Sequence, residues 1–510
     1  MLSRALSAYV IGIDAHLVEV EVDISAKGLP HFSMVGLPDA AVRESRDRIR
    51  AALKNIGFAF PLKQITVNLA PADLRKEGSS FDLPIAVGII AAEEVLPLAA
   101  LSEYLLAGEL SLDGRIKPVK GALSIALEAR KRGLKGLILP RENGAEAAVV
   151  HGIEVYGMES LPEVVEFLGG IAKREPFAAD LGAAMAERSL YEEDFSEVKG
   201  QEHAKRALEV AAAGAHNLLM IGPPGSGKTM LSRRLPSILP PLTFEEALET
   251  TKIHSVAGLL EDGQSLLALR PFRAPHHTIS DVALIGGGQV PRPGEVSLAH
   301  HGILFLDELP EFKRSVLEVL RQPLENGTVT VSRAAATVTY PAQFVLVAAM
   351  NPCVCGYFGE PRHQCTCTPL MIHRYRSRVS GPLMDRIDIH MDVPAVPYKE
   401  LSGSCSGEKS EAIRQRVTEA RTVQLQRFQG ERIFANGHMK ARHIKKYCTL
   451  SGDAHHLLDT AMQKLGLSAR AYSRVLKVAR TIADLDRSAD IHSPHIAEAI
   501  HYRTLDRVQV

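Results

Sequence analysis

A glycine-rich segment near the middle of the chain has the spacing of a phosphate-binding loop. Its residues are Gly222, Pro223, Pro224, Gly225, Ser226, Gly227, Lys228 and Thr229. The apolar run 218–221 leads into it, and a helical pattern begins at Met230. Glycines let consecutive backbone N–H groups surround phosphate oxygens, while the lysine and the hydroxyl reach phosphate and Mg²⁺. The pattern predicts a site for ATP and Mg²⁺, with Lys228 on phosphate and Thr229 on the metal; a glycine-rich turn without a ligand is the alternative.

A second element suited to nucleotide chemistry is a pair of carboxylates at the end of an apolar run. Residues 303–306 are followed directly by Asp307 and Glu308. In phosphoryl transfer one carboxylate holds Mg²⁺ and another residue orients the attacking water. We therefore predict that Asp307 binds the metal and that Glu308 polarises water. The alternative is a pair of acids that caps the helix expected to follow at Pro310.

Three more polar residues could complete such a site. Asn351 follows an apolar strand and could orient water beside the γ-phosphate, although a turn before Pro352 would also explain it. Arg386 and Arg470 each lie in an apolar frame. An arginine in this setting can stabilise the charge that develops on a transferring phosphate. For each arginine taken alone, a surface ion pair is the alternative.

Four of the six cysteines lie within fifteen residues of one another. They form two C-x-C pairs, Cys353, Cys355, Cys365 and Cys367. Clustered thiols in a reducing cytosol suit tetrahedral Zn²⁺, and a site with four protein ligands is structural. We predict such a zinc site, which would fix the loop between Asn351 and Arg386. His363 could replace one thiol, and four incidental thiols are the alternative.

The composition is that of an ordinary globular protein. Of 510 residues, 46% are apolar and 23% charged, and 59 basic residues balance 59 acidic ones, which excludes a strongly basic coat over the whole molecule. No apolar run reaches the ~18 residues that a membrane span needs. The first residues alternate like a strand rather than a signal peptide, and six cysteines do not make a secreted disulfide framework. We expect a cytoplasmic protein without a membrane partner.

The pattern of elements divides the chain into three domains. Residues 1–170 alternate strand and helix and predict an α+β domain, and an acidic, alanine-rich linker follows at 171–196. Residues 197–397 show an α/β pattern with a parallel sheet. A second linker spans 398–410. Residues 411–510 are helical throughout and carry 17 basic against 10 acidic residues, so the excess positive charge lies at this end.

The order of the motifs resembles that of AAA+ ATPases. The matching residues are Val198–Gln201, the phosphate loop, Asp307, Glu308, Asn351, Asp385, Arg386 and Ser468–Arg470. The stretch 293–308 resembles the magnesium-chelatase branch, and the whole chain resembles the ComM (YifB) family of magnesium-chelatase-like ATPases. The resemblance implies a fold with an AAA+ core of the α/β class and a C-terminal helical lid.

The resemblance also implies how the chain acts. It implies a hexameric ring with ATP bound between subunits. In that ring Arg386 is the arginine finger, which reaches the nucleotide of the neighbouring subunit, and Arg470 is the sensor arginine on the helical lid. The proposed role of the family is DNA branch migration in homologous recombination, notably in natural transformation. The partners implied are single-stranded or branched DNA, further copies of this chain and recombination proteins.

Two segments of the central domain could contact DNA. Seventy-eight residues separate Lys228 from Asp307, more than the nucleotide fold needs, and they include the basic stretch 270–277, which ends in His276 and His277, and the loop Gly286, Gly287 and Gly288 downstream of it. Residues 328–339 predict a β-hairpin with Arg333 near its tip. Positive charge and exposed backbone at such places bind phosphates of any sequence. A mobile loop and an ordinary hairpin are the alternatives.

The N-terminal segment resembles the Lon protease domain. The resemblance rests on residues 108–121 and 133–143, and residues 76–80 resemble the stretch around the nucleophilic serine, which would be Ser80. Aligned without gaps, the catalytic lysine of that family falls on Ile125. A serine without its base is not an activated nucleophile. We expect a Lon-like fold without peptidase activity.

Four functions can be compared on the basis of these features. We favour an ATP-dependent DNA motor, a helicase or branch-migration factor; the alternative is a chelatase-type ATPase that remodels a protein partner. The missing lysine disfavours an ATP-dependent protease, and the complete ATPase motif set disfavours a DNA-binding scaffold. Stimulation of ATP hydrolysis by single-stranded or branched DNA would separate the first two.

Overall fold

The computed structural model describes residues 1–503 apart from 27–28, 73–75, 77, 180–181, 183–184, 186–190, 262, 289–290, 333–336, 362, 396–406, 432 and 466–467. The described chain forms two main sheets and a helical C-terminal region. Among its helices, none combines the length and the apolar character that crossing a membrane requires.

The N-terminal part is built on a seven-stranded mixed sheet in the order β3-β4-β2-β1-β5-β8-β9. Its elements are β1 (Leu2–Ile11), β2 (Asp14–Ser25), β3 (His31–Val35), α1 (Ala40–Asn55), β4 (Gln64–Ala70), α2 (Asp82–Ala92), α3 (Leu98–Glu103), β5 (Tyr104–Leu106), β6 (Glu109–Leu110), β7 (Ile116–Lys117), α4 (Ala122–Lys131), β8 (Gly136–Pro140), α5 (Gly144–Ala147), β9 (Glu154–Met158) and α6 (Leu161–Leu168). Every residue of α2 is buried, which explains why this apolar helix lacks a polar face. The alternation of β2 places Val18, Val20 and Val22 in the core, as expected for a half-buried strand.

The central part contains a five-stranded parallel sheet in the order β11-β14-β17-β10-β18. Its elements are α7 (Glu202–Gly214), β10 (Leu218–Ile221), α8 (Lys228–Arg234), α9 (Phe244–Ala257), β11 (Phe272–Arg273), α10 (Asp281–Ile285), β12 (Gly286–Gly287), β13 (Arg292–Pro293), α11 (Glu295–Leu298), β14 (Ile303–Leu306), α12 (Arg314–Val319), α13 (Arg321–Asn326), β15 (Thr328–Ser332), β16 (Thr337–Pro341), β17 (Val345–Met350), α14 (Pro369–Arg376), α15 (Gly381–Met384) and β18 (Ile389–Asp392). The predicted parallel α/β core is confirmed.

Both faces of this parallel sheet are covered by other elements. Successive side chains of a strand point to opposite faces, so each strand contributes to both hydrophobic clusters. Leu218 and Met220 face one hydrophobic cluster, which they share with the C-terminal helices. Leu219 and Ile221 face another, which includes the hairpin β15–β16. The apolar runs of this sheet are continuous rather than alternating for this reason.

The C-terminal part is helical, as the sequence predicts. Its helices are α16 (Ser410–Arg427), α17 (Ala441–Tyr447), α18 (Gly452–Leu465), α19 (Ala469–Leu485) and α20 (Ser493–His501). Helices α16 and α19 pack on α7, and the buried His216 joins the two parts through Asp388 at 3.3 Å and Thr481 at 2.8 Å. This region therefore lies on one face of the central sheet.

The N-terminal part contacts the central part through helix α9. Lys252 donates to Asp14 at 2.8 Å, and the Ser255 hydroxyl donates to the buried carboxylate of Glu146. Burial raises the pKa of Glu146. The turn between β1 and β2 also packs against the hairpin, because a Cβ on Gly12 would lie 2.4 Å from Val338. Helix α9 and the hairpin therefore both contact the N-terminal part.

Candidate nucleotide and metal sites

The phosphate loop joins β10 to α8 as the sequence predicts. A Cβ at Gly222 would lie 2.1 Å from the backbone oxygen of Val393, so only glycine fits there. Gly225 and Gly227 have φ of +75° and +88°, which L side chains rarely adopt. The Gln201 amide donates to the Ser226 carbonyl at 2.8 Å and thereby supports the loop. These constraints explain the glycine spacing.

Lys228 is held inside this loop. Its ammonium donates to the carbonyls of Gly222 at 2.8 Å and Pro223 at 2.9 Å, and to Asn351 Oδ1 at 3.3 Å. Burial lowers the pKa of Lys228, and nearby Asp307 opposes that effect. The contact places Asn351, which follows the end of β17, beside the phosphate loop, and its role in orienting water stays a prediction.

The expected magnesium ligands come together at the carboxyl ends of the strands. The Thr229 hydroxyl donates to Asp307 Oδ2 at 2.7 Å. A hydroxyl and a carboxylate are hard oxygen ligands of the kind Mg²⁺ takes beside phosphates. The residues present therefore fit ATP with Mg²⁺.

Glu308 stands beside these ligands at the edge of a cavity of about 770 Å³, which Thr229 and Asp307 also line. Its backbone is left-handed, with φ of +52°, and its N–H donates to Asp307 Oδ1 at 2.9 Å. The His277 ring lies 3.5 Å from the Glu308 carboxylate. His277 follows β11; the sequence pointed to it only as the end of a basic stretch that could contact DNA, and not as a neighbour of Glu308.

Arg386 lies at the opposite edge of the same sheet, the edge formed by the amino ends of the strands. It precedes β18, which runs parallel to β10 with Leu218 opposite Ile389, whereas the phosphate loop follows the far end of β10. Its guanidinium donates to the Pro382 carbonyl and to the carboxylate of Glu325, and its side chain is only 9% exposed. The structure thus separates Arg386 from the phosphate loop of its own chain.

Arg470 lies on the Arg386 side as well. It is near the start of α19, which Ser468 caps, and its guanidinium donates to Asp385 at 3.1 Å. One turn further along α19, Arg474 donates to the buried Asp388. The ion pair that we weighed as the simpler alternative for Arg470 is present. The spacing of four between the two arginines was the signal available for Arg474.

The four clustered cysteines come together as predicted. The sulfur of Cys353 lies 3.3 Å from that of Cys355 and 3.7 Å from that of Cys365. A tetrahedral site with Zn–S bonds of about 2.3 Å needs sulfurs about 3.8 Å apart. The fourth ligand, Cys367, lies within the same cluster. The set is compatible with structural Zn²⁺.

This cysteine cluster is tied to the phosphate loop. A Cβ on Gly356, inside the cluster, would lie 2.7 Å from Pro224. Arg376, beyond the cluster, donates to the Pro352 carbonyl at 3.2 Å. The cysteine loop therefore packs against the residues that surround the phosphates, which the sequence did not indicate.

A second group of potential ligands, Glu249, His300 and His301, is a hydrogen-bonded cluster. His300 Nδ1 accepts the backbone N–H of Gln343 at 3.0 Å. Burial lowers the pKa of His300 to about 4, so the ring is neutral and carries its proton on Nε2, which faces Glu249 at 3.2 Å. His300 therefore has no free ring nitrogen for a metal.

The segments that we expected to contact DNA are only partly described. Arg333 lies outside the described residues, but the two strands of its hairpin are paired from Thr328 to Pro341. Gly286 and Gly287 pair with β13 and are buried, whereas Gly288 is exposed. The exposed part of the glycine loop is therefore smaller than the sequence suggests.

The basic residues upstream of that loop bind within the chain. Arg270 donates to Pro240, His301 and Glu246, and Arg273 is ion-paired with Glu295 at 2.6 Å. They do not supply the positive flank that we expected. Arg292, which sequence reasoning missed, is exposed beside the glycine loop.

The residues compared with the Lon protease site lie in the N-terminal part. Ile125, at the position of the lysine, is buried in an apolar cluster on α4. The neighbouring Ser124 donates to the Ile13 carbonyl at 2.6 Å. Ser79, before Ser80, donates to Glu109. An apolar side chain at 125 cannot act as a base, so the absence of peptidase activity stays our prediction.

Comparisons with known proteins match nearly the whole chain. Family profiles for magnesium chelatase match three stretches: subunit ChlI at 194–401 and at 20–143, and its C-terminal part at 407–503. The chain is 46% identical over 502 residues to the uncharacterized protein YifB of Salmonella typhimurium and 45% identical over 503 residues to the competence protein ComM of Haemophilus influenzae, each covering 98% of this chain and 96% of the relative. The 38 kDa magnesium-chelatase subunit of Rhodobacter capsulatus is 28% identical over 177 residues, 31% of this chain and 50% of that protein.

Proposed function

The chain belongs to the ComM (YifB) family of magnesium-chelatase-like proteins, and from that premise we propose that it is an AAA+ ATPase that moves DNA strands. The name of the Haemophilus relative, a competence protein, supports a role in homologous recombination during natural transformation. The proposed activity is cytoplasmic. We retain the division into domains at 1–170, 197–397 and 411–510, with linkers at 171–196 and 398–410.

One observation carries the ATPase proposal: the groups that we propose act on one nucleotide lie at opposite edges of a single sheet. Thr229 and Asp307 stand 2.7 Å apart at the carboxyl ends of the strands, and Arg386 lies beyond the amino end of β18. A chain that must bring both edges to one nucleotide needs a second copy. This arrangement supports a ring, for which we propose six subunits, with Arg386 acting on the nucleotide of its neighbour.

The proposed chemistry follows from the side chains. Lys228 binds the β- and γ-phosphate oxygens, and Thr229 with Asp307 would hold Mg²⁺, which neutralises phosphate charge. Glu308 orients the attacking water and accepts its proton, while Asn351 aligns that water. Arg386 of the neighbouring subunit stabilises the charge on the transferred phosphoryl group. Arg470 reaches the site only from the same side as Arg386, so we propose that it acts with the finger of its own subunit.

We also propose that the cysteine cluster holds one structural zinc ion. The sulfur separations support this, and the contact of Gly356 with Pro224 supports a role in positioning the phosphate loop. A zinc ion coordinated by four thiolates has no open coordination position for a substrate. The zinc ion would therefore affect ATP hydrolysis only by holding the phosphate loop in position.

DNA binding is proposed for the face that carries the hairpin and the glycine loop. Arg333, Gly288 and Arg292 are the candidate contacts, since a net charge of zero requires that contacts be local and repeated by oligomerisation. Remodelling of a protein partner is the second candidate function, supported by the shorter match to a magnesium-chelatase subunit.

The deciding experiment measures ATP hydrolysis with and without single-stranded DNA and a four-way junction, together with junction migration. We expect stimulation by DNA and ATP-dependent migration. Glu308→Gln is the control that retains nucleotide binding and loses both activities. ATP hydrolysis that ignores DNA, with no migration of the junction, would favour the protein-remodelling function instead.

A further inference from the structure

The side chain of Arg386 is ion-paired within its own chain with the carboxylate of Glu325, which lies just before the hairpin proposed to contact DNA. Its Nη2 donates to Glu325 and its Nη1 to the Pro382 carbonyl, while Nε is buried without a hydrogen-bond partner among the described residues. The side chain of Arg386 is 9% exposed and that of Glu325 is 57% exposed. One side of this ion pair is thus accessible and the other is not.

The two residues meet at a cavity of about 560 Å³ whose wall includes both segments proposed for DNA. Ile285, the last residue of α10, lines it and directly precedes Gly286. Val329, the second residue of β15, lines it as well. The cavity therefore touches the base of the glycine loop, the base of the hairpin and Arg386 together.

Glu325 is also close to the hairpin along the chain. Helix α13 ends at Asn326, and Gly327, with φ of +66°, turns directly into β15. A Cβ at Gly327 would lie 2.9 Å from the Gln343 side chain, so this turn is tightly packed. Only this turn separates Glu325 from the first strand of the hairpin, so the carboxylate and the hairpin are directly connected along the backbone.

We propose that Glu325 is a positioning residue for Arg386: it retains the finger within its own subunit, and engagement of DNA by the hairpin withdraws it. The inference rests on the proposed function, in which Arg386 acts on the nucleotide of the neighbouring subunit. The Arg386 side chain is only 9% exposed and its charge is offset by Glu325, so it must leave this ion pair before it can reach the phosphate oxygens of another subunit. The restraint thereby links DNA contact to hydrolysis.

The size of the effect follows from the exposure of the pair. A partly solvated ion pair shifts an equilibrium between two positions by a modest factor. Removing the charge of Glu325 should therefore raise the DNA-free rate of ATP hydrolysis roughly two- to fivefold. The same change should lower the fold stimulation by DNA, because part of the stimulation is already present.

The test compares Glu325→Gln and Glu325→Ala with Glu318→Gln. Glu318 lines the same cavity but is ion-paired with Arg321 at 2.9 Å. The change Glu318→Gln therefore removes an equal charge without removing a contact of Arg386. The measurements are the rate of ATP hydrolysis with and without single-stranded DNA, the Kd for ATP, and the oligomeric state. We expect both Glu325 variants to raise the DNA-free rate with unchanged ATP binding and assembly, and Glu318→Gln to behave as wild type.

Three results would overturn the restraint: an unchanged DNA-free rate in both Glu325 variants, a reduced rate, or an equal rise in Glu318→Gln. Failure of the DNA motor has a different signature. If wild-type hydrolysis ignores DNA while Glu325→Gln still raises the DNA-free rate, the motor is contradicted and the restraint on Arg386 is supported.

Discussion

The guanidinium of Arg470 lies 3.1 Å from the carboxylate of Asp385, the residue directly before Arg386. Helix α19 therefore contacts the segment that carries the proposed finger. One turn later, Arg474 binds the buried Asp388 on the other side of Arg386. The helical C-terminal region and the segment that carries Arg386 are thus connected at two points, one on each side of Arg386 in the sequence.

Arg470→Ala should lower ATP hydrolysis more than it lowers stability. The side chain is 68% exposed, and an exposed pair contributes at most about 1 kcal/mol to the free energy of unfolding. The assay combines the rate of ATP hydrolysis with thermal unfolding. Arg487→Ala is the matched control, since Arg487 is an exposed arginine on the same region paired with Glu419. Equal rates in the two variants would contradict a role for Arg470 in hydrolysis.

Arg386→Ala should retain ATP binding and lose turnover by ~10³-fold or more, as for other arginine fingers. Mixing Arg386→Ala with Glu308→Gln subunits should restore some hydrolysis, because some interfaces then receive both intact groups. The measurement is the rate as a function of mixing ratio. A shared site is contradicted if no ratio restores activity.

The purified protein should contain about one zinc ion per chain. The double change Cys365→Ser with Cys367→Ser should lose the metal and impair ATP hydrolysis, because the cysteine loop packs against Pro224 through Gly356. Metal analysis and ATPase assays check this, with Cys405→Ser, a cysteine that belongs to neither C-x-C pair in the sequence, as control. Protein purified without chelator and found free of zinc would rule out the site.

The N-terminal domain should have no peptidase activity, and Ser80→Ala should leave ATP hydrolysis and DNA activity unchanged. The reason is the buried, apolar Ile125 at the position where a base is required. Degradation of an unfolded protein substrate is the measurement. ATP-dependent cleavage that disappears in Ser80→Ala would show that another group activates the serine.

Binding to single-stranded DNA should be independent of sequence and should weaken with salt. Each phosphate neutralised contributes about −0.7 to the slope of log K against log salt concentration. Arg333→Ala and Arg292→Ala should each flatten this slope and leave ATP binding unchanged. Arg115→Ala, an exposed arginine of the N-terminal part, is the control. Unchanged slopes and unchanged junction migration would remove the hairpin and the loop from the mechanism.

Much of the nucleotide site could be predicted from the sequence because its chemistry is local. Residues 222–229 form one continuous loop, so their spacing alone fixes which N–H groups and side chains face a phosphate. Asp307 and Asn351 were also predictable, since each follows an apolar strand and parallel strands end at one edge of a sheet. The cysteine cluster could also be predicted, because its four members lie close together in the sequence.

The amino-acid sequence by itself determined the motifs whose members are neighbours in the chain or occupy equivalent ends of strands. Only the tertiary structure decided which distant charges meet. Arg386 and Glu325 are 61 residues apart and Arg470 and Asp385 are 85 apart, and no spacing rule links them. The same holds for Gly286 and Gly287, whose glycine composition suggested exposure but which are buried against β13. Burial and ion pairing between distant residues depend on how whole elements pack, and that information is distributed over the entire chain.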